Sequence, residues 1–188
     1  ITASAEFTFM LILNTLKRLD IGKVEVSARR WRKHEDILRG NELSSKKVGI
    51  VGLGRIGNHI ANWCKVFNAE VLYYDPYVSN KIKRTDSLEF LFSESDIISL
   101  HLNLSDQNYH LVNYNLLKQV KSNAIIINTS RGEIINENDL IKALDNQLIS
   151  GVGLDVFESE PYVGRLSDYE NVILTPHIAG YAKEIRIK

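Results

Sequence analysis

The strongest constraint on the fold is an alternation of short apolar runs with helical stretches that begins near residue 47. The runs are unbroken in Val, Ile and Leu, which is typical of strands buried on both faces of a parallel sheet. We predict strands at residues 48–51, 71–74, 97–102, 124–127, 152–156 and 172–174, and helices at 56–67, 87–92, 114–120 and 137–144. This order predicts an α/β fold: a doubly wound parallel sheet with flanking helices and right-handed crossovers.

A first helix precedes this core. Apolar residues such as Met10, Leu11 and Leu16 repeat with helical period within residues 1–19. So much apolar surface needs a partner, either a neighbouring subunit or missing chain. We predict a dimerisation helix there and expect a homodimer. The chain starts at Ile1 and opens directly into this helix, so we also expect it to be part of a longer protein.

Residues 20–46 are polar and locally basic, and they contain Trp31. The basic residues around it are Arg29, Arg30, Arg32 and Lys33. We interpret the segment as a solvated arm or linker anchored by the tryptophan, and a basic arm for nucleic acid is the alternative. The chain has 23 Lys and Arg against 23 Asp and Glu, and this zero net charge argues against a nucleic-acid partner.

The cysteine content limits location and chemistry. The single cysteine, Cys64, excludes an internal disulfide and a metal site built on cysteines. We therefore expect no metal and a reducing, cytoplasmic location. No apolar run approaches the roughly 20 residues that a membrane-spanning helix needs, so we expect no membrane partner.

A glycine-rich loop with the sequence GLGRIG joins the first core strand to the first core helix. Its first glycine permits a tight turn, its second lets the backbone approach a pyrophosphate, and its third allows close packing of helix on strand. The N–H groups at the start of the helix would hold the phosphates. The predicted phosphate-binding residues are Gly52, Gly54, Arg55, Ile56 and Gly57. The loop in this setting predicts a dinucleotide-binding Rossmann fold.

Asp75 follows Gly57 by 18 positions, at the end of the second predicted strand. A carboxylate there can accept hydrogen bonds from the ribose hydroxyls of the cofactor and would repel the 2′-phosphate of NADP. We therefore predict NAD as the cofactor, with NADP disfavoured. The alternative is that Asp75 and Pro76 merely end the strand in a turn.

Three ionisable residues follow the late strands: Arg131, Glu160 and His177. Because the carboxyl ends of strands in an open parallel sheet line the ligand crevice, all three are expected to face a bound cofactor. Taken individually, each residue could also have no catalytic role. Arg131 could lie in a surface turn, Glu160 in a loop, and His177 could be a capped loop histidine.

Three motifs carry a resemblance to a known family. They are NTSRG at residues 128–132, GLDVFESEP at 153–161 and TPHIAG at 175–180. Together with the glycine loop and Asp75, their order and spacing resemble the D-isomer-specific 2-hydroxyacid dehydrogenases along essentially the whole chain. The resemblance implies an oxidoreductase that transfers a hydride between NAD(H) and a D-2-hydroxy acid or its 2-keto partner.

The resemblance also implies a role for each candidate residue. Arg131 would hold the substrate carboxylate and polarise the reacting carbonyl, and His177 would exchange a proton with the 2-keto or 2-hydroxyl oxygen. Glu160 would orient His177 and favour its protonated form. The further cofactor contacts that the resemblance implies are His101, Thr129, Asp155 and Gly180.

The chain departs from the family pattern at three positions of the cofactor crevice and its supporting loops. Asn103 stands where the family usually has proline, and Asn108 and Ala182 stand where it usually has threonine. The family also has a second, substrate-binding domain built mainly from N-terminal residues. We expect this domain to be largely missing, and we assign residues 47–188 to the Rossmann core of an NAD-binding domain.

The resemblance leaves one alternative function open. Some relatives of the family use the same architecture to sense NAD(H), as corepressors that act through protein contacts. Arg131, Glu160 and His177 do not exclude such a protein-interaction module. Binding of a peptide partner that tracks NADH, without turnover of a 2-keto acid, would distinguish it from an enzyme.

Overall fold

A computed structural model describes residues 1–31 and 35–184. Its strands are β1 (Lys47–Val51), β2 (Glu70–Tyr74), β3 (Lys83–Arg84), β4 (Ile97–Leu100), β5 (Ile125–Asn128), β6 (Gly151–Leu154) and β7 (Val172–Leu174). They form one parallel sheet in the order β3-β2-β1-β4-β5-β6-β7, with Val48 of β1 paired to Val71 and Ile97. The predicted doubly wound sheet is confirmed. Because the strand order reverses between β1 and β4, a crevice opens at their carboxyl ends.

Helices cover both faces of the sheet. They are α1 (Thr2–Lys17), α2 (Leu19–Ser27), α3 (Glu35–Leu38), α4 (Arg55–Val66), α5 (Leu88–Glu94), α6 (Tyr114–Leu117) and α7 (Glu137–Asp145). The apolar core on one face includes Leu11 and Ile12 of α1 and Ile60 of α4. The core on the other face includes Leu91 of α5 and Leu140 of α7. Both faces of the sheet therefore contribute to the hydrophobic stabilisation.

The central strands explain why the sequence pattern is unbroken. Every residue of β4, β5 and β6 is buried, so neither face of these strands accepts a polar side chain at low cost. The ends of elements differ from the prediction: β4 stops at Leu100, and α6 stops at Leu117. The edge strand β3 was not predicted, because its two exposed basic residues carry no apolar signal.

The chain's own sheet covers part of the apolar surface of α1, while Met10 of the same helix stays exposed. Leu11 and Ile12 are fully buried. A Cβ on Gly153 of β6 would lie 2.7 Å from Cγ of Leu11, and one on Gly151 would lie 3.0 Å from Cγ2 of Thr15. These two glycines let the helix pack closely on β6, so α1 is part of the core.

The arm prediction for residues 20–46 needs correction, because this segment contains the rest of α2 and the short helix α3. α1 and α2 are separated at Arg18, whose φ of 54° breaks the helical path. The side chain of Glu25 is buried and accepts a 2.9 Å hydrogen bond from Nε of Arg30. Trp31 is 76% exposed and is therefore no anchor within this chain. The predicted basic residues Arg32 and Lys33 lie outside the described residues.

Candidate active site

A cleft of about 1170 Å³ lies at the carboxyl ends of the strands, where the strand order reverses. Its wall is formed by the loops that follow β1, β4, β5, β6 and β7, together with the first turn of α1. The lining residues that sequence analysis singled out are Gly54, Arg55, Ile56, His101, Asn103, Thr129, Arg131, Asp155, His177, Gly180 and Ala182. The fold thus brings together segments that are far apart in the chain.

The glycine loop forms the β1 end of this cleft. Gly52 has a φ of 89°, and a Cβ there would lie 2.6 Å from the carbonyl oxygen of His101. A Cβ on Gly57 would lie 2.3 Å from the carbonyl oxygen of Gly52, so the first turn of α4 packs tightly on the loop. A Cβ on Gly54, by contrast, would meet no atom within 4 Å. The loop therefore leaves open space beside Gly54, where a ligand can approach the backbone and the N-terminus of α4.

Asp75 ties this loop to the end of β2. Its Oδ2 accepts a hydrogen bond from the Leu53 amide at 2.8 Å, and its Oδ1 accepts one from the Tyr77 amide at 2.9 Å. The residue is buried and does not line the cleft. Its negative charge nevertheless lies directly beneath the glycine loop, because it is bonded to the residue between Gly52 and Gly54.

His177 and Glu160 form a pair in the structure. Nδ1 of His177 lies 2.7 Å from Oε2 of Glu160, and Oε1 of Glu160 accepts a 3.2 Å hydrogen bond from the Phe157 amide. Burial opposes ionisation of Glu160, but the hydrogen bonds from His177 and Phe157 and the charge of Arg131 together lower its pKa. The carboxylate is thus available to hold the imidazole. His177 lines the cleft and Glu160 does not, but both residues line a neighbouring pocket.

Asp155 organises the loop that carries His177. Its side chain is fully buried, and its Oδ1 accepts hydrogen bonds from Oγ1 of Thr175 at 2.6 Å and from the Ile178 amide at 2.9 Å. Its Oδ2 accepts from the Ala179 amide at 2.7 Å. These bonds support the backbone conformation of His177. Its φ of 54° lies in the left-handed region, which few non-glycine residues adopt. Sequence analysis missed this role.

Asn128 shapes the turn that carries Arg131. Its Nδ2 donates to the carbonyl oxygen of Arg131 at 2.8 Å, and its Oδ1 accepts from the Ser130 amide at 3.0 Å. The next residue, Gly132, packs so closely that a Cβ would lie 1.9 Å from the carbonyl carbon of Phe157. Only glycine fits there, and the contact joins the Arg131 turn to the segment that leads to Glu160.

The loop after β4 forms the next part of the cleft wall. His101 is partly buried there, and desolvation lowers its pKa to about 4. Its Nε2 lies 2.9 Å from Oγ of Ser99, so the neutral ring has a hydrogen-bond partner. Asn108, one of the departures from the family pattern, donates from Nδ2 to the carbonyl oxygen of Asn103 at 2.6 Å and accepts from the Ser105 amide at 2.8 Å. Asn108 therefore closes this loop.

The N-terminal helix contributes to the cleft, which sequence analysis did not foresee. Ile1 and Ser4 line it, and Oγ1 of Thr8 lies 2.6 Å from Oγ1 of Thr129. The helical pattern of α1 is defined by its apolar residues. Small hydroxyl residues between them, such as Ser4 and Thr8, do not indicate a ligand site by themselves. The predicted site residues that do not line the cleft are Gly52, Gly57, Asp75 and Glu160.

Residues 1–31 and 35–184 contain neither a cluster of metal ligands nor a membrane-spanning helix. In this part of the chain, no three His, Cys, Asp or Glu side chains group in a way that could hold a metal ion. None of the helices described there has the length and apolar character to cross a membrane.

Comparison with known proteins places this architecture among relatives. A family model described as the D-isomer specific 2-hydroxyacid dehydrogenase, NAD binding domain, matches residues 9–179. A glyoxylate reductase from Pyrococcus horikoshii is 40% identical over 187 residues, which cover 94% of this chain and 56% of the relative. The crystal structure of D-lactate dehydrogenase from Aquifex aeolicus complexed with NAD and lactic acid has a TM-score of 0.88 at 31% identity, over 96% of this chain and 60% of that one.

A third relative is in complex with a different dinucleotide. An acyclic imino acid reductase in complex with NADPH and D-Arg has a TM-score of 0.90 at 28% identity, over 97% of this chain and 59% of that one. The chain thus spans between 56% and 60% of the length of these three relatives. Motifs, sheet order and family model agree: the chain belongs to the D-isomer specific 2-hydroxyacid dehydrogenase family and corresponds to its NAD-binding domain.

Proposed function

We propose that the protein is an oxidoreductase that transfers a hydride between NAD(H) and a D-2-hydroxy acid or its 2-keto partner. The observation that carries the proposal is a single cleft with a glycine loop at one end and Arg131 and His177 at the other. A dinucleotide is long enough to reach from a phosphate site to a reactive ring. The glycine loop at one end can bind phosphates. At the other end, Arg131 can bind a carboxylate and His177 can transfer a proton.

The glycine loop is proposed to bind the pyrophosphate. The open space beside Gly54 and the first-turn N–H groups of α4 support this assignment, because such groups and the helix dipole stabilise anions. We propose NAD as the preferred cofactor over NADP. The support is the Asp75 carboxylate at the end of β2, whose charge would repel a 2′-phosphate on the adenosine ribose.

His177 is proposed as the general acid and base. Because Glu160 engages Nδ1, Nε2 is the nitrogen left to exchange a proton with the substrate oxygen. Arg131 is exposed at the cleft, and its guanidinium can hold a substrate carboxylate through two parallel hydrogen bonds. When bound, the nicotinamide supplies or accepts the hydride. The protein residues then provide position and charge.

The substrate class is proposed from the chemistry of this pair and from the relatives. A glyoxylate reductase and a D-lactate dehydrogenase both act, by name, on small 2-oxo or 2-hydroxy acids. The test is oxidation of NADH by the protein that carries this chain, measured at 340 nm with glyoxylate, pyruvate and hydroxypyruvate. Turnover of at least one acid supports the proposal. NADH binding with no turnover of any of them contradicts it and favours a sensor of NAD(H).

We further propose a homodimer through a groove between α1 and α4. The groove has a volume of about 730 Å³, and Phe9, Met10, Leu13 and Phe67 contribute to its wall. Met10 is 47% exposed, which is unusual for a large apolar residue beside other apolar side chains. Analytical ultracentrifugation is expected to show a dimer that Met10→Asp dissociates. The same change at the exposed Val163 is the control, and a monomeric wild type contradicts the proposal.

We propose the cytoplasm as the location. The only cysteine, Cys64, is buried in α4, and burial raises the pKa of its thiol to about 12. A chain that relies on packing rather than on disulfides suits a reducing compartment. Fractionation of cells that express the tagged protein tests the proposal, and recovery in an oxidising compartment would contradict it.

A further inference from the structure

Thr8 and Thr129 connect the N-terminal helix to the cofactor cleft through their hydroxyl groups. Oγ1 of Thr8 donates to the carbonyl oxygen of Ser4 at 2.7 Å, and it lies 2.6 Å from Oγ1 of Thr129. Thr8 is fully buried in α1, whereas Thr129 follows β5 and lines the cleft. A buried hydroxyl in contact with a site residue constrains the hydrogen bonding of that residue.

The direction of this hydrogen bond follows from a count of protons. A threonine hydroxyl has one proton to donate and two lone pairs to accept with. Thr8 places its proton on the carbonyl oxygen of Ser4, so the proton between the two hydroxyls belongs to Thr129. Thr129 therefore has no proton left for the cleft. Toward a ligand, its oxygen can act only as an acceptor.

The position of Thr129 indicates which part of a cofactor it meets. The phosphate end of the cleft lies after β1, and β5 lies two strands further along the sheet. Thr129 is two residues before Arg131 and shares the cleft with His177. It thus lies on the side of the proposed chemistry, where the nicotinamide half of the cofactor would lie. The donors in that half are the carboxamide N–H groups and the ribose hydroxyls.

We propose that Thr8 is a positioning residue, which fixes the hydroxyl of Thr129 as an acceptor for the carboxamide N–H of the nicotinamide. The inference rests on the proposed function, because it requires that NAD(H) occupies the cleft. Thr8 does not touch the cofactor. It acts by taking the Thr129 proton, so that the Thr129 oxygen presents only lone pairs to the ligand.

The same helix offers a matched control. Thr15 donates from Oγ1 to the carbonyl oxygen of Leu11 at 2.8 Å, which is the same bond to the fourth preceding residue that Thr8 makes. Thr15 lies beside β6, near Gly151, and away from the cleft. Valine matches threonine in shape, so Thr8→Val and Thr15→Val remove equivalent helix hydrogen bonds. They differ in the contact with Thr129.

The first test is calorimetric titration of the 188-residue chain with NADH. Thr8→Val is expected to raise the Kd about three- to tenfold, because one cofactor hydrogen bond is weakened, whereas Thr8→Ser and Thr15→Val leave it unchanged. Thr129→Val is expected to raise it similarly, and Thr8→Val adds nothing further in the double variant. Additive effects in the double variant, or equal effects of Thr8→Val and Thr15→Val, overturn the role of Thr8.

The second test identifies the donor. The 3-acetylpyridine analogue of NAD has a methyl group in place of the carboxamide nitrogen and so lacks the N–H. The wild-type chain is expected to bind NAD about three- to tenfold more tightly than this analogue, and Thr8→Val is expected to abolish most of the difference. An unchanged difference overturns the carboxamide assignment. A wild-type chain that binds no nicotinamide dinucleotide overturns the proposed function together with this inference.

Discussion

Nδ1 of His177 lies 2.7 Å from Oε2 of Glu160, and this contact joins the loop after β6 to the loop after β7. The exposed fractions of the two side chains are 51% and 36%, and of the two only His177 lines the cleft. A carboxylate within hydrogen-bond distance of one ring nitrogen fixes the orientation of the imidazole ring. The geometry is therefore that of an imidazole held in one orientation at the wall of the cleft.

His177→Ala is expected to lower kcat for 2-keto acid reduction by about 10²–10⁴, because general acid–base catalysis supplies about that factor. The Kd for NADH is expected to stay nearly constant, since the phosphate site lies at the other end of the cleft. Stopped-flow and steady-state kinetics measure the two effects separately. The same substitution at His59, which is exposed on α4, is the control. Near-wild-type kcat in His177→Ala would contradict the assigned role.

Arg131→Lys is expected to raise KM for the 2-keto acid about tenfold or more. A lysine keeps the charge but cannot make two parallel hydrogen bonds to a carboxylate. Steady-state kinetics at saturating NADH measures the change. Lys replacing Arg165, which pairs with Asp145 on the surface, is the matched control. If KM is the same for Arg131→Lys and wild type, Arg131 does not bind the substrate carboxylate.

Asp155→Asn is expected to lower the free energy of unfolding by about 1–3 kcal/mol, the cost of an unsatisfied buried group. The carboxylate of Asp155 is the acceptor in all three of these hydrogen bonds, and both of its oxygens accept from a backbone N–H. An amide N–H₂ in place of either oxygen would therefore face at least one N–H group. Urea denaturation measures the loss. Asp145→Asn, at an exposed ion pair, is expected to change stability by less than about 1 kcal/mol. Equal stabilities would mean that Asp155 does not support the His177 loop.

His101 predicts a pH dependence of stability. Its folded pKa of about 4 lies below the unfolded value of about 6.5, so the unfolded chain takes up a proton first as pH falls. The stabilisation from neutral His101 is therefore complete above about pH 6.5 and is lost between about pH 6.5 and about pH 4. The loss amounts to about 3–4 kcal/mol at most, because one pKa unit corresponds to about 1.4 kcal/mol.

The measurement for this prediction is urea denaturation of wild type and His101→Gln across that range. Gln keeps a polar group near Ser99 but does not titrate. The free energy of unfolding of His101→Gln is therefore expected to fall less steeply than that of wild type between about pH 6.5 and about pH 4. If the free energy of unfolding has the same pH dependence in both proteins, burial does not disfavour protonation of His101.

The residues that sequence predicts best are those whose chemistry is local. The unbroken run of apolar residues at Val48–Val51 and the glycines after it indicate a strand, a turn and a helix within one short stretch, and β1 and α4 lie there. Gly52 carries a positive φ because the turn requires it. The end of β4 is harder to predict, since the apolar pattern continues to Leu102 while His101 and Leu102 already line the cleft.

The remaining features depend on contacts between distant segments. The apolar side chains of α1 indicate a partner, but only the sheet shows that Gly151 and Gly153 leave room for the helix on β6. Asp155 was expected to contact a cofactor, and its three hydrogen bonds to the His177 loop emerge only from the fold. The role of the Thr8 hydroxyl cannot be predicted from the sequence, because it depends on a contact with Thr129, which is distant in the chain.

The central claim is that the cleft binds NAD(H), with Asp75 beneath the glycine loop favouring NADH over NADPH. The most direct measurement is titration of the chain with each reduced cofactor, followed by nicotinamide fluorescence, for wild type and Asp75→Asn. We predict saturable NADH binding, NADPH binding that is at least about tenfold weaker, and a smaller difference between the two in Asp75→Asn. A wild-type chain that binds neither cofactor, or both equally, would contradict the account.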